Sequence, residues 1–422
     1  MIKKIILDNG LTVLLNRDKS KKRTTANIYV KCGGVDNTYK IDGIQKVFPY
    51  GVAHFLEHYL LEQSIYGNAG EYFSQDYIDF NGITYNYKTE YYISTVHDFK
   101  ENFIKLINIV NNPNFSDDRV EKVKKPIIAE INRKNDYKSL KYYDTIFRSV
   151  YEREVFNKTL GSISDIQDMS LKTLSLFHKI NYKPENEIIA ITGNFDLDII
   201  DLIEKEYKKI SFYDKEVVKV RTKEKNEVVN KMIDFYGEEK NESVTVNYKI
   251  NIEKYSPVEK NKIDYYLSYL IDDNFGEKSS LFNKLLKDKI TVFSINTIFD
   301  AEMVENFLMI SITIYTTKFE EAIKAITSTM NNLNISEKSF NNGKKNTLIK
   351  MINHLERKEY ITDNYINNYF LYNLDKNDDL KFIKSLNISE CISILKSLDL
   401  SNYSIIVNKG NNKSESAIWI KK

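Results

Sequence analysis

A strand, a pair of helices, further strands and another helix are written twice along this chain of 422 residues. In the first half, 25–32 (TANIYVKC) reads as a strand ended by Gly33-Gly34, and 51–64 (GVAHFLEHYLLEQS) and 70–80 read as helices. Residues 83–96 carry the Tyr, Thr and Ile that favour strands, and 98–110 reads as a helix. After a charged, aperiodic segment at 212–230 the order begins again. It gives a strand at 243–251, helices at 257–271 and 279–288, strands at 291–299 and 306–316, and a helix at 318–332. The repetition predicts an α+β protein of two homologous domains, 1–215 and 231–422, joined by a linker at 216–230. A chain this long exceeds what a single core supports.

The remaining elements fit between these. Residues 2–7 and 11–16 form a hairpin around Asn9-Gly10, and Asn81-Gly82 is expected to turn the chain before 83–96. Helices are expected at 116–136, 141–153, 170–181 and through 336–397, with strands at 187–192 and 402–407. A net charge of +2 gives no reason to expect nucleic acid or an anionic membrane as partner. No apolar run of about eighteen residues occurs, so no membrane span is expected. Cys32 and Cys391 form no disulfide framework, which points to a reducing cytoplasm.

Only five histidines occur (His54, His58, His97, His178 and His354), and two fall four residues apart with Glu57 between them. Positions i and i+4 share a helix face, so both imidazoles of H-F-L-E-H can reach one metal ion, with Glu57 beside them. The order H-x-x-E-H is the inverted zinc-protease signature. A catalytic zinc takes three protein ligands and keeps one position for water, which requires a further group from elsewhere. Glu130, in IIAEINRKND on the helix at 116–136, is the best candidate, and Glu121 and Asp136 compete with it. One zinc per chain would then polarise a peptide carbonyl, and Glu57 would serve as general base. No cysteine or serine stands in a nucleophile's setting. His97, His178 and His354 read as ordinary surface or core residues, and the tyrosine-rich 85–92 as packing.

On these residues the chain resembles the pitrilysin/insulinase family of zinc metallopeptidases, which includes the mitochondrial processing peptidases and bacterial two-subunit relatives. LDNGLTVLL at 7–15 is similar to the family's opening strand pair, and Gly33 to its glycine after the third strand. GVAHFLEHYLLE at 51–62 matches its active-site helix, IIAEINRKND at 127–136 its third-ligand helix, and NYKPENEIIAITGNFD at 181–196 its end-of-first-domain strand. The resemblance implies two α+β halves closing like a clamshell, zinc held by His54, His58 and Glu130, and Glu57 as general base. It also implies that substrate binds as an extra strand on a sheet edge beside the zinc. That edge is expected at 84–89, with Asn86 matching the family asparagine and Tyr87 replacing a small alanine.

Three departures from the family pattern stand out. Val123, with Glu121 nearby, occupies the place of a second glutamate two turns before the ligand, which predicts a weaker hold on the metal. The interval from His58 to Glu130 is a few residues short. Lys287 and Phe293 stand where the family's substrate-holding arginine and tyrosine fall, and neither reproduces its counterpart's hydrogen bonds. A chain with the zinc half of this machinery and without the Arg–Tyr half resembles one member of the paired bacterial enzymes. The resemblance therefore implies a homologous zinc-less partner that supplies the Arg–Tyr pair. The implied substrate is a short, extended or unfolded peptide, leader segments included. A peptide-degrading homodimer and a catalytically inactive structural subunit are the competing expectations. The presence of all four zinc-site residues weighs against the second.

Overall fold

Alternating β-branched and aromatic residues build a sheet in each half of the chain. The computed structural model describes residues 2–136, 138–152, 159–237, 241–291, 294–304, 306–355, 358–375, 378–410 and 418–420. In the first half the strands are β1 (Lys3–Ile6), β2 (Thr12–Arg17), β3 (Thr24–Val30), β4 (Thr38–Ile41), β5 (Ile44–Val47), β6 (Asp79–Thr84), β7 (Thr89–Thr95), β8 (Glu187–Gly193) and β9 (Val217–Lys219). The helices that matter here are α1 (Val52–Glu62), α2 (Ala69–Ser74), α3 (Phe99–Asn111), α4 (Asp117–Asp136), α5 (Lys138–Val150) and α6 (Leu171–Asn181).

The first sheet has the order β1-β2-β8-β3-β7-β6, with β2 and β8 parallel and the other pairs antiparallel. β8 (EIIAITG) is buried along its whole length, as an unbroken apolar run in a central strand should be. Ala26, Ile28, Tyr91, Ile93, Ile189 and Ile191 share one apolar core with Phe55, Leu56 and Leu60 of α1 and Phe103 and Leu106 of α3. This packing seats α1 against the sheet beside its terminal strand, β6.

In the second half the strands are β10 (Met232–Phe235), β11 (Ser243–Asn251), β12 (Asn296–Val304), β13 (Phe307–Tyr315), β14 (Tyr403–Asn408) and β15 (Ile418–Ile420). The helices used below are α7 (Pro257–Phe275), α8 (Ser280–Lys287), α9 (Phe319–Asn331), α10 (Lys358–Tyr372) and α11 (Ile388–Ser397). The sheet order β12-β13-β11-β14-β10-β15, with β10 and β14 parallel, repeats the first sheet strand for strand. Only the outermost strand beyond the parallel pair differs in origin: the N-terminal hairpin supplies β1, and the C-terminal end supplies β15. The repeat expected from the sequence is thus present as two α+β sheets of one topology.

The chain divides between the two units differently from the expected cut at 216–230. One compact unit comprises Met1–Lys134, Val155–Thr222 and Leu355–Ile366, and the other comprises Asn135–Glu154, Lys223–His354 and Asn367–Lys422. α5 therefore belongs with the second sheet, where Tyr142 hydrogen-bonds Thr245 (2.6 Å), and the start of α10 belongs with the first, where Thr362 meets Thr192 (2.7 Å). The supposed linker is also bonded along its length. Val217–Lys219 forms β9 against β4, and Arg221 binds the buried Asp36 (2.9 Å). Glu224 then binds the buried Lys249 (2.8 Å). Its charges are pairing groups, which is why it shows no periodicity.

A second difference concerns Asn81-Gly82, which lies inside β6 and makes no turn. The turn comes at 85–88, where the Tyr85 N–H donates to the Lys88 carbonyl (2.8 Å). Gly82 answers a demand for space: a Cβ there would come within 3.1 Å of Glu57 Cγ and Leu61 Cδ1. The helix expected at 70–80 is the short α2, because β6 begins at Asp79. Among the described residues no helix is long and apolar enough to cross a membrane.

Candidate active site

α1 begins at Gly51, whose φ of 78° is left-handed and whose Cβ would lie 2.4 Å from the Leu160 carbonyl oxygen. Conformation and space both require glycine there. Along the helix His54 and Glu57 are buried and His58 is half-buried. Polar groups so placed need partners.

Glu130 arrives on α4, and α1 is tied to the start of α4 at two points. The Tyr59 hydroxyl donates to the Asn114 carbonyl (2.8 Å) and accepts from the Ser116 N–H (3.1 Å). The Arg119 guanidinium donates to the Gln63 carbonyl (3.0 Å), one residue beyond α1. These bonds set the axial register of α4 against the histidines. Glu130 Oε2 lies 3.5 Å from His54 Nε2 and 3.6 Å from His58 Nε2, and all three donor atoms fall within 4.8 Å of one another. Such gaps are long for hydrogen bonds. They are close to the ligand–ligand edge of a zinc tetrahedron, about 3.4 Å for metal–ligand bonds near 2.0–2.1 Å. Two imidazoles and one carboxylate also form a donor set that suits zinc. Among the described residues this is the one group of three or more His, Cys, Asp or Glu side chains gathered so closely.

Glu57 stands beside this cluster. Thr84 Oγ1, at the end of β6, donates to Glu57 Oε2 (2.9 Å), and the bare Gly82 leaves room for the rest of the side chain. A zinc-type ligand trio, an adjacent buried glutamate and the terminal strand of the sheet thus meet in the first unit.

The family model described as "Insulinase (Peptidase family M16)" matches residues 12–162, and the one described as "Peptidase M16 inactive domain" matches 168–347. The chain belongs to the insulinase-type peptidase family. An uncharacterized zinc protease of Bacillus subtilis (strain 168), YmfH, is 29% identical over 230 residues, 53% of this chain and 54% of that protein. The alignment thus covers about half of each chain. A putative M16-like peptidase from Alicyclobacillus acidocaldarius superposes with a TM-score of 0.84 at 20% identity, over 97% of this chain and 98% of that one. A protease from Helicobacter pylori gives 0.78 at 19% identity, over 97% and 99%. These two likenesses are of fold. In this insulinase-type chain the "inactive domain" match covers the second-half region that has no histidine pair.

The ionisable groups of the trio are strongly perturbed. Burial disfavours the charged form of His58, but the facing Glu130 carboxylate, the hydrogen bond to Glu62 and the field of Glu57 outweigh this and lift it to about 10. Glu130 is held down to about 2, chiefly by the facing His58 imidazole, against the opposing effect of burial. His54 falls to about 4, through burial and then the neighbouring His58. Burial raises Glu57, against the pull of His58 and Thr84.

Asn86 and Tyr87 are in the 85–88 turn, so the sheet edge runs at 79–84 and not at 84–89 as expected. Asn86 is engaged there: its carbonyl accepts from the Val35 N–H (3.1 Å), and its side chain accepts from Thr159 (3.2 Å). Tyr87 packs its ring under the Arg221 guanidinium (5.0 Å). Lys287 is exposed in the last turn of α8, and Phe293 lies outside the described residues. Of the ligand competitors, Glu121 pairs with Lys124 (2.6 Å), and Asp136 is exposed at the end of α4. His178 is a core residue whose Nε2 donates to the Val110 carbonyl (2.8 Å), and His97 bonds Asp76 and Asp98 near the surface.

Sequence reading missed Gly82, Thr84, Tyr59, Arg119 and Glu62, whose carboxylate accepts from His58 Nδ1 (2.8 Å). Only Glu62 carried a local signal, being four residues after His58 on the same helix.

Proposed function

We propose that this chain is a zinc-dependent endopeptidase acting on short, extended or unfolded peptides, with zinc held by His54, His58 and Glu130. The observation that carries the reading is the set of 3.5 and 3.6 Å separations between one carboxylate oxygen and two imidazole nitrogens, with Glu57 at their side. A zinc ion in this cradle supplies Lewis-acid polarisation of a carbonyl and a lowered pKa for water. Glu57 takes the water's proton on its carboxylate and delivers it to the departing amine. Burial raises its proton affinity for this exchange, and Thr84 fixes its orientation. Peptide recognition falls to β6, the terminal strand of its sheet, whose main chain can pair with an extended substrate whatever its side chains.

The same reading gives the chain a homologous zinc-less partner that supplies an Arg–Tyr pair, because Lys287 and Phe293 stand at those positions. Metal analysis of Glu57→Gln tests the core of the proposal: the variant should retain one zinc per chain and cleave nothing. A wild-type chain that takes up no zinc under supplementation overturns it. Full activity of the purified chain alone on unstructured peptides removes the partner.

A further inference from the structure

We propose that Glu62 is the positioning residue of the metal centre, holding His58 so that its Nε2 faces Glu130. The inference rests on the zinc reading above and concerns how this chain orients its ligands. Glu62 Oε1 lies 2.8 Å from His58 Nδ1, one helical turn along α1. A carboxylate only accepts, so the Nδ1–H donates to it, and the proton that must leave on metal binding is the one on Nε2, the atom 3.6 Å from Glu130. The hydrogen bond thereby selects both the tautomer and the ring orientation that ligation needs.

Three further observations single out Glu62. First, it is the last residue of α1, where the helix dipole disfavours a negative side chain, so the dipole gives no reason for an acid there and its favourable contact is with His58. Second, His54 has no comparable support: its Nδ1 is buried and without a hydrogen-bond partner among the described residues. Third, α4 offers no second carboxylate in place of Glu62. Val123 is fully buried in the apolar core, and Glu121 is occupied by Lys124.

The experiment is zinc competition against a chromogenic chelator, using the full-length chain and the metal alone. Glu62→Ala should weaken zinc binding about 10- to 100-fold. Glu62→Gln, whose amide oxygen can still accept from Nδ1–H, should lose less. Glu121→Gln, which removes the same charge from a surface pair, should bind as the wild type does. Alanine favours the helix, so circular dichroism of Glu62→Ala should match the wild type, and cobalt substitution should report an altered visible spectrum in Glu62→Ala. Affinity of Glu62→Ala within about twofold of wild type, or an equal loss in Glu121→Gln, overturns the proposal. Wild-type protein that binds no zinc overturns the zinc reading and this inference with it.

Discussion

Each half of the molecule brings two side chains, four residues apart on one helix, to a carboxylate on another, and the two results are chemically opposite. In the first half His54 and His58 of α1 face Glu130 of α4 across gaps of 3.5 and 3.6 Å. In the second, Lys262 of α7 binds both oxygens of Glu390 on α11 (2.7 and 2.9 Å), and the Tyr266 hydroxyl donates to the same carboxylate (2.7 Å). α7 directly follows β11, the central antiparallel strand of its sheet, and α1 follows the equivalent β3 after the β4–β5 hairpin. The partner carboxylates, however, come from helices at different places in the order. Helical spacing delivers the convergence in both cases. Residue type decides what it becomes, because lysine brings its own positive charge and tyrosine its own proton, whereas two imidazoles leave lone pairs for a cation from outside.

The sharpest way to break the contrast is to write the second arrangement into the first. His58→Lys places an ammonium beside Glu130 and should reduce zinc to none, with circular dichroism unchanged; retained metal would refute the assignment. Next in size is Gly82→Ala, which leaves the ligands alone but pushes a methyl to 3.1 Å from Glu57 Cγ. Zinc content should hold while kcat falls by up to about 100-fold, the scale of an ångström-sized misplacement. Unchanged kcat would show that Glu57 needs no such exactness of position.

Within the first unit two buried groups answer acidity in opposite senses. Burial lowers the first unit's His178 to about 4, so its contribution is full above the ordinary histidine range and is lost as pH falls toward 4. Burial raises Glu187, in the same unit, to about 7, so its contribution is present at low pH and lost as pH rises toward 7. Over the shared window, about pH 6.5 to 4.5, the two oppose each other at roughly 1.4 kcal/mol per pH unit each. Glu187→Gln removes the opposing member of this pair, so hydrogen exchange in the first core should show it losing about 2–3 kcal/mol more than the wild type on acidification across that window, with second-unit amides as the internal reference. A flat profile in the variant would discard this account. The smallest effect is expected from Lys262→Met, which strands a partly buried carboxylate. Urea unfolding should show a loss of about 1–2 kcal/mol, between the values for exposed and buried pairs, with zinc binding untouched.

Much of the site was legible because its signal is local. H-F-L-E-H declares its geometry on any helix, and the polar, gently amphipathic 116–136 segment places Glu130 on α4. The glycines were read less well. Gly82 next to Asn81 has the form of a turn, but its role depends on a helix some twenty positions earlier pressing against the strand. Asp42-Gly43, with φ of 49° and 78°, closes the β4–β5 hairpin and was a turn signal left unread. Thr84 gave no sign at all, since a threonine in a strand is ordinary.

The sequence by itself determined the kinds of element, their repetition and the chemical character of the metal-type side chains, because periodicity and residue type are properties of short windows. The tertiary structure decided which carboxylate meets the histidines and which strand forms the edge. It also decided that α5 and the start of α10 pack with sheets outside their own halves of the chain. Those outcomes depend on hydrogen bonds and packing between residues far apart in the chain, such as Tyr59 with Asn114 and Tyr142 with Thr245, and no local pattern encodes them.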